Sequence, residues 1–372
     1  MSDFPIIEKL GGLLVERGFL KGKRIAWHCH LTTITAQAAQ AVSRAGAELV
    51  FSECNVDTTQ KEALAELATC GKVFLGPDSR LSALKSNPHI IADTGFALSE
   101  TYLEERQKLF AHQEANLLGI SEITTSGIAR LRKRLKEKSD FHLPVLNIND
   151  GKLKTEIENF HGVGDGVVEI LKDRLPDLMV VIVGYGAVGA GCARHLKDAG
   201  ARVQVVELSA VRALMAHYDG FELTDLRKAL GNSDVIVTAT GRRQLLGERE
   251  WRQARHGLTV LNVGHDANEV STDILRKMAD KISQAEGGLS LYRLSQSPLH
   301  EVALYTQGSP ANVALLTGSE EPTLIHLTTE ILGWDYLIEE QGRLPEGEII
   351  IAPEVEERAA SLALQALGQF QP

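Results

Sequence analysis

The motif with the clearest chemistry is a glycine-rich run, Gly184-Tyr-Gly186-Ala-Val-Gly189, which has the spacing GxGxxG. It follows a continuous apolar segment at 178–184 and precedes a segment with helical periodicity at 187–199. In a strand–turn–helix unit, such glycines allow a tight turn and a close approach of the backbone to a pyrophosphate, which the positive end of the helix attracts. The run therefore predicts a dinucleotide-binding turn.

An acidic residue supports this interpretation and indicates which dinucleotide binds. Glu207 follows the strand-like segment 202–206, where a carboxylate can accept hydrogen bonds from both adenosine ribose hydroxyls and repel a 2′-phosphate. The predicted cofactor is NAD. The contacts expected from this motif are Gly184, Gly186, Ala187, Val188, Gly189 and Glu207.

Two later segments are expected at the same site, because open α/β sheets bind ligands at the carboxyl ends of their strands. Thr238, Ala239 and Thr240 follow the predicted strand 234–237, and Asn262 lies near the end of the strand 259–263. His265 follows closely, and on its own it is as compatible with a structural role as with a role in the site. A second glycine run, 161–166, has no strand before it, and we expect it to be a loop.

The elements that position these residues alternate between strand and helix. Before residue 150, strands are predicted at 24–27, 48–51, 72–75, 89–92, 115–118 and 144–147, and helical spacing lies between most of them, as at 35–45 and 127–135. Further helices are predicted at 323–342 and 354–367. This alternation in a chain of 372 residues predicts an α/β fold of two doubly wound domains.

Composition and charge exclude several classes of function. The net charge is −10, and the one dense basic stretch, 130–138, is typical of a solvated helix face, so we expect no nucleic-acid partner. No apolar run is long enough to cross a membrane, and no signal peptide is evident, so we expect no membrane partner and a cytoplasmic location. The four cysteines are expected to be free thiols, and no metal is expected because His28 and His30 lack a third ligand.

Several segments, taken together and in order, resemble the S-adenosylhomocysteine hydrolase family. They are His30-Leu-Thr32, SECNVDTTQ at 52–60, GISEITTSG at 119–127, LNIND at 146–150, Lys154 with Glu158-Asn159, GYGAVGAGCA at 184–193, NVGH at 262–265, YRL at 292–294, and Asn312. The resemblance implies a discontinuous substrate domain (1–155 and 318–350), an inserted NAD-binding Rossmann domain (160–312) and a C-terminal helix (353–372). It also implies a homo-oligomer, a dimer or tetramer, and a place in one-carbon metabolism.

The resemblance also implies a chemistry. NAD oxidises the 3′-hydroxyl of a nucleoside, the group at C5′ is eliminated, water adds, and the ketone is reduced again. Lys154, with Glu158 and Asn159, would act on the 3′-hydroxyl, and His265 would lie beside the 3′-position. Asp93 and His30 would act near C4′ and C5′. Thr32 and Thr124 would contact the substrate, and Asn312 would contact NAD. Two α/β domains joined by two connections would close by hinges near 149–151 and 308–311.

The chain departs from the family at the nucleoside. Ile123 replaces a carboxylate expected at the ribose, and Glu158 stands where aspartate is usual. Ile34 and Ser319 replace two polar groups expected at the adenine. Since selectivity based on hydrogen bonds is lost with the partners, we expect a different base or 5′-substituent, and the short C-terminus suggests exchangeable NAD.

Four outcomes remain open at this point. The chain could hydrolyse a thioether, eliminate without adding water, simply dehydrogenate the 3′-hydroxyl and release NADH, or be a non-catalytic, NAD-bound regulatory homologue.

Overall fold

The computed structural model describes residues 4–112, 114–137, 141–264, 269–295 and 300–369. The chain divides into two compact units: unit 1 comprises Met1–Lys154 and Glu320–Pro372, and unit 2 comprises Thr155–Ser319. Each unit is an α/β structure around its own sheet. The predicted fold class is confirmed.

Unit 1 is built on a parallel sheet of seven strands. The strands are β1 (Arg24–Cys29), β2 (Glu48–Glu53), β3 (Gly71–Phe74), β4 (Ile90–Asp93), β5 (Gly119–Glu122), β6 (Pro144–Asn147) and β15 (Gly347–Ile350). Their order in the sheet is β15-β6-β5-β4-β1-β2-β3, so the chain winds in one direction from β1 to β3 and in the other from β4 to β6. The strand order therefore reverses between β1 and β4, and the carboxyl edge there is where a ligand is expected.

The helices of unit 1 are α1 (Ile6–Arg17), α2 (Thr33–Arg44), α3 (Lys61–Cys70), α4 (Ser79–Leu84), α5 (Ala97–Leu109), α6 (Thr125–Glu137), α14 (Glu320–Glu339) and α15 (Pro353–Ala366), with a 3₁₀ turn at Val56–Thr58. Helix α14 differs from the others because it is buried around most of its circumference. Trp334 on α14 packs edge-on against Trp27 of β1, with ring centroids 4.8 Å apart. A helix apolar on all sides belongs inside a core, so its few polar residues are buried as well.

Unit 2 has an eight-stranded mixed sheet. The strands are β7 (Met179–Val183), β8 (Arg202–Val206), β9 (Glu222–Leu223), β10 (Val235–Thr238), β11 (Thr259–Asn262), β12 (Ala279–Gln284), β13 (Leu289–Leu294) and β14 (Glu301–Tyr305). Their order is β12-β13-β14-β11-β10-β7-β8-β9. Strands β12, β13 and β14 pair antiparallel, and the remaining neighbours pair parallel. The strand order reverses between β7 and β10.

The helices of unit 2 are α7 (Val163–Leu171), α8 (Ala187–Asp198), α9 (Ala210–Tyr218), α10 (Leu226–Asn232), α11 (Glu248–Gln253), α12 (Thr272–Met278) and α13 (Ala311–Ala314). A π-helix at Leu153–Gly162 precedes α7, and 3₁₀ turns lie at Lys172–Arg174 and Thr306–Gly308. In the part of the chain that is described, no helix is long and apolar enough to span a bilayer.

Two of the predicted elements are wrong. The strand expected at 115–118 lies four residues later, as β5. Half of β5 is polar, since Ser121 and Glu122 form hydrogen bonds in the core, so its sequence lacks the apolar pattern of a buried strand. The glycine run 161–166 is helical rather than a loop. Its glycines serve close packing, since a Cβ at Gly164 would lie 2.7 Å from the His195 ring. The prediction of four free cysteines is confirmed.

Candidate active site

The glycine-rich turn of unit 2 lies after β7, at the reversal of the strand order. Gly184 has φ +98°, and a Cβ there would lie 2.6 Å from the carbonyl oxygen of Ala239. A Cβ at Gly189 would lie 1.9 Å from the carbonyl oxygen of Gly184. By contrast, a Cβ at Gly186 would meet only Arg212 Nη1, at 3.8 Å. The turn is therefore closed on the protein side and open at its middle glycine, where a pyrophosphate needs access to the backbone.

Glu207 follows β8 beside this turn, and its side chain has a fixed orientation. Its carboxylate accepts hydrogen bonds from the backbone N–H groups of Tyr185 (2.8 Å), Leu208 (2.7 Å) and Ser209 (2.7 Å). Burial opposes ionisation, but these hydrogen bonds and the nearby Arg212 lower the pKa of Glu207. The group is therefore an anion at neutral pH and can accept hydrogen bonds from a ribose diol.

The other predicted cofactor residues surround the same edge. Thr238 is buried and donates to Asn262 Oδ1 (3.0 Å), and Asn262 donates to the carbonyl oxygen of Gly308 (2.8 Å). The backbone N–H of Thr240 donates to Glu269 (2.7 Å), which is fully buried. These bonds fix the loops after β10 and β11. Ala187 and Val188 form the first turn of α8, Ala239 follows β10, and Asn312 lies on α13.

In unit 1, the residues predicted near C5′ follow β1 at the reversal of the strand order. His30 Nδ1 lies 2.6 Å from Thr58 Oγ1, a contact that fixes the imidazole ring. Thr32 is the N-cap of α2, since its hydroxyl accepts from the backbone N–H of Thr35 (3.2 Å). Ile34 lies in the first turn of the same helix, half-buried. Thr32 therefore has a structural role whether or not it contacts a substrate.

Asp93, at the end of β4, is fully buried. Its Oδ1 accepts from the backbone N–H groups of Thr94 (2.8 Å) and Leu98 (3.2 Å), and its Oδ2 from that of Ser99 (2.7 Å). These contacts hold the beginning of α5. Both carboxylate oxygens are engaged with the backbone, which is unfavourable for a group that must take a proton from a substrate carbon.

Glu122 and Thr124 form a second buried cluster after β5. Glu122 accepts hydrogen bonds from Phe96 N–H (2.7 Å), Gly95 N–H (3.1 Å), and the backbone and hydroxyl of Thr124 (2.7 and 2.6 Å). Burial and the neighbouring Asp93 raise the pKa of Glu122 to about 8, against the lowering effect of these bonds. Ile123 lies between the two polar residues and is half-buried. The loop after β5 is thus tied to the loop after β4.

Lys154, Glu158 and Asn159 all lie on the π-helix Leu153–Gly162. A π-helix has an i→i+5 hydrogen-bond pattern, so residues four and five apart are about one turn apart. None of its ten residues is buried. Lys154 groups with unit 1, whereas Glu158, Asn159 and the exposed Ser319 group with unit 2. His265 lies outside the described residues.

The sequence interpretation missed four polar residues in or beside these sites: Arg212, Glu269, His326 and Glu330. Arg212 is a lone cation five residues after Glu207. Glu269, His326 and Glu330 are buried. The last two interrupt the apolar stretch TLIHLTTEILGW at 323–334, and a charge at such a position is the signal that could have identified them.

A GxGxxG turn at the strand reversal, with an oriented acid after the next strand, defines a dinucleotide-binding Rossmann domain. The fold is thus that of an NAD-dependent protein with two α/β units. The family described as "S-adenosyl-L-homocysteine hydrolase, NAD binding domain" matches residues 160–318.

Two adenosylhomocysteinases match the chain over nearly its whole length. That of Thermococcus kodakarensis is 30% identical over 98% of this chain and 88% of its own. That of a Nostoc species is 29% identical over 99% of this chain and 88% of its own. Among solved structures, the pyruvate reductase of Chlamydomonas reinhardtii aligns with a TM-score of 0.44 and 14% identity, over 88% of this chain and 100% of that one. The chain belongs to the adenosylhomocysteinase family, and its cofactor is NAD.

Proposed function

We propose that the chain is an NAD-dependent enzyme that transiently oxidises the 3′-hydroxyl of a 5′-substituted nucleoside, with elimination or addition at C5′. The net reaction is thioether hydrolysis or a related lyase reaction. The observation that carries the proposal is a complete NAD-binding turn in a chain that keeps Lys154, Asn159 and His30 in the family's order.

NAD, held by the glycine turn at 184–189 and by Glu207, would supply a hydride acceptor for the oxidation and a hydride donor for the final reduction. The chain's own residues must then move protons. Lys154 removes the proton from the 3′-hydroxyl, as an amine can when its neighbours allow it to be neutral. Asn159 and Glu158 orient the hydroxyl and the lysine. His30, whose ring is held by Thr58, protonates the leaving group at C5′.

The substrate is proposed to differ from S-adenosylhomocysteine in its base or its 5′-group. Ile123 and Ile34 have alkyl side chains and cannot hydrogen-bond. A substrate hydroxyl or base nitrogen buried against them would lose about 1–3 kcal/mol if it stayed unpaired. A nucleoside that is less polar at those two points fits this chain better.

The test is to load the full chain with NAD⁺ and follow nicotinamide absorbance while adding S-adenosylhomocysteine, adenosine, inosine and other 5′-modified nucleosides separately. Reduction that stops at one equivalent or less is the expected result. Lys154→Ala should abolish reduction without changing NAD affinity. If no nucleoside reduces bound NAD, the proposal is rejected in favour of a regulatory homologue.

A second candidate is an NAD-dependent nucleoside 3′-dehydrogenase, and the geometry of Asp93 favours it. The buried carboxylate holds the start of α5 with both oxygens, so it is poorly suited to remove the C4′ hydrogen. Two results would distinguish the candidates. An elimination enzyme exchanges the C4′ hydrogen of its substrate for deuterium in D₂O, whereas a dehydrogenase leaves that hydrogen in place and accumulates NADH.

A further inference from the structure

Two histidines of unit 2 lie in direct contact, and the proposed chemistry has no role for either of them. His161, at the end of the π-helix, places its Nδ1 3.2 Å from Nε2 of His195 on α8, although the two residues are 34 apart in sequence. His161 is exposed and His195 is half-buried. Two imidazoles at this distance repel each other when both are protonated, so the contact requires at least one neutral ring with a free lone pair.

A carboxylate determines which nitrogen of His195 carries that lone pair. Asp165 Oδ1 lies 3.0 Å from His195 Nδ1, so the carboxylate accepts the Nδ1–H of the ring. In neutral His195 the proton is therefore on Nδ1, and Nε2 presents its lone pair to His161. A histidine that donates one ring N–H to a carboxylate and offers its other nitrogen to a ligand is the usual arrangement at metal sites, where the carboxylate orients the ring and raises its basicity.

Glycines bring the helices close enough for this contact. A Cβ at Gly191 of α8 would lie 2.1 Å from the carbonyl oxygen of Phe160, and a Cβ at Gly164 of α7 would lie 2.7 Å from the His195 ring. The Phe160 ring packs edge-on against both imidazoles, with ring centroids 4.9 Å from His161 and 6.1 Å from His195. Packing therefore positions the two rings before any ligand arrives, as a preorganised site requires.

The separation of the two nitrogens suits a transition-metal ion. Zn–N bonds of about 2.0–2.1 Å in tetrahedral geometry place two nitrogen ligands about 3.3–3.4 Å apart, close to the 3.2 Å between the two histidines. Imidazole suits Zn²⁺, Cu²⁺ and Ni²⁺, whereas Mg²⁺ and Ca²⁺ prefer oxygen ligands. Among the described residues, no group of three or more His, Cys, Asp or Glu side chains could hold a metal ion, so water would complete the coordination of an ion held by this pair.

We propose that His161 and His195 form a surface site for a divalent transition-metal ion, with Asp165 as the positioning residue of His195. The ion takes the place of the proton between the rings. His161 moves its proton from Nδ1 to Nε2, His195 keeps its Nδ1–H on Asp165, and two neutral rings release no proton. The cavity beside the pair, about 500 Å³, is also lined by Asp198 and Asp219 and has room for metal-bound water. The ion would join the π-helix to α8.

The test titrates the NAD-loaded full chain, freed of excess NAD, with Zn²⁺ and with Ni²⁺ against a chromophoric chelator. Each ion should bind at about one equivalent per chain at about pH 7.5. The affinity should fall about tenfold or more at about pH 5.5, because protons compete with the metal for imidazole nitrogens in that range.

Four variants identify the ligands. His161→Ala and His195→Gln each remove one nitrogen and should weaken binding about a hundredfold or more, since a single imidazole no longer chelates the ion. Asp165→Asn still accepts the His195 N–H but lacks the charge, and should weaken binding about tenfold. His217→Ala removes an exposed histidine of α9 and is the matched control, which should bind like wild type.

The outcome depends on the difference between these variants. Metal binding that is lost in His161→Ala and retained in His217→Ala supports the site. The exposed position of His161 lets this variant carry the test even if His195→Gln unfolds more readily in EDTA. Equal affinity in wild type and His161→Ala would overturn the proposal, as would the absence of binding below millimolar metal; the contact would then be only a hydrogen bond between two imidazoles. The titration uses no nucleoside, so its result is separate from that of the nicotinamide experiment.

Discussion

Replacing Glu207 by Gln should change which dinucleotide the chain prefers. The carboxylate is held by three backbone N–H groups and would face the adenosine ribose, where NADP carries its 2′-phosphate. Two unit charges about 4 Å apart repel by about 1 kcal/mol in water and about 4 kcal/mol at an effective dielectric constant of 20. Glu207 is partly exposed to solvent, so the lower end applies, about 1–2 kcal/mol for a phosphate with more than one charge.

That repulsion corresponds to about a fivefold to thirtyfold gain in NADP affinity for Glu207→Gln. NAD affinity should fall about fivefold, because the amide accepts one fewer ribose hydrogen bond. The assay is calorimetric titration of wild type and variant with both dinucleotides at low and high salt; the gain should shrink at high salt. Glu222→Gln, a nearby exposed glutamate on β9, is the control for a general change in charge. An unchanged ratio of NADP to NAD affinity in Glu207→Gln would refute the assignment of Glu207 to the ribose.

Three other predictions concern the frame of the sites. Gly189→Ala places a methyl group 1.9 Å from the Gly184 carbonyl oxygen and should abolish NAD binding in titrations. Gly231→Ala is the control, because a methyl group there has nothing within 4 Å; it should raise the free energy of unfolding by about 0.5–1 kcal/mol. Asp93→Ala leaves three backbone N–H groups unpaired, one in the loop after β4 and two at the start of α5, and should cost roughly 2–4 kcal/mol in urea unfolding. Full stability with lost activity would instead indicate a chemical role. Burial raises the pKa of Glu330 to about 8, so the contribution of this group to the free energy of unfolding is complete below about pH 4.5 and is lost as the pH rises through 8. Glu330→Gln cannot ionise and should flatten the pH dependence of the free energy of unfolding over that range, by up to about 5 kcal/mol. Parallel curves for wild type and variant would contradict this.

The sequence is sufficient for those parts of the fold in which local pattern and burial agree. Strand β7 is apolar on both faces, and the glycine turn and helix α8 follow it directly, so the pattern predicts all three within one or two residues. Strand β5 is misplaced by the pattern because half of it is polar, and the partner of its Ser121 comes from α14, some two hundred residues away. The edge strand β12 escapes prediction, since its sequence ADKISQ carries little apolar signal.

The residues of the candidate site likewise include some that the sequence predicts and some that it does not. The cofactor residues follow from a motif whose spacing is imposed by the pyrophosphate itself. The role of Asp93 could not be read from its neighbours in sequence, because it depends on where the N–H groups of α5 point after folding. Glu330 and His326 are distant from every recognisable motif, and only packing brings them near Lys154.

The buried carboxyl groups of unit 1 have different structural roles, and these roles limit which of them can act as a base in the reaction. Asp93 and Glu122 hold the loops after β4 and β5 through backbone N–H groups, and Glu330 is buried behind Ser121. Removing a hydrogen from C4′ requires a base that reaches the substrate, and each of these three carboxyl groups is fully buried. Oxidation and reduction at the 3′-position require only a hydride acceptor and an amine such as Lys154 to exchange the hydroxyl proton. The C4′ exchange experiment therefore addresses the step on which the two proposed functions differ.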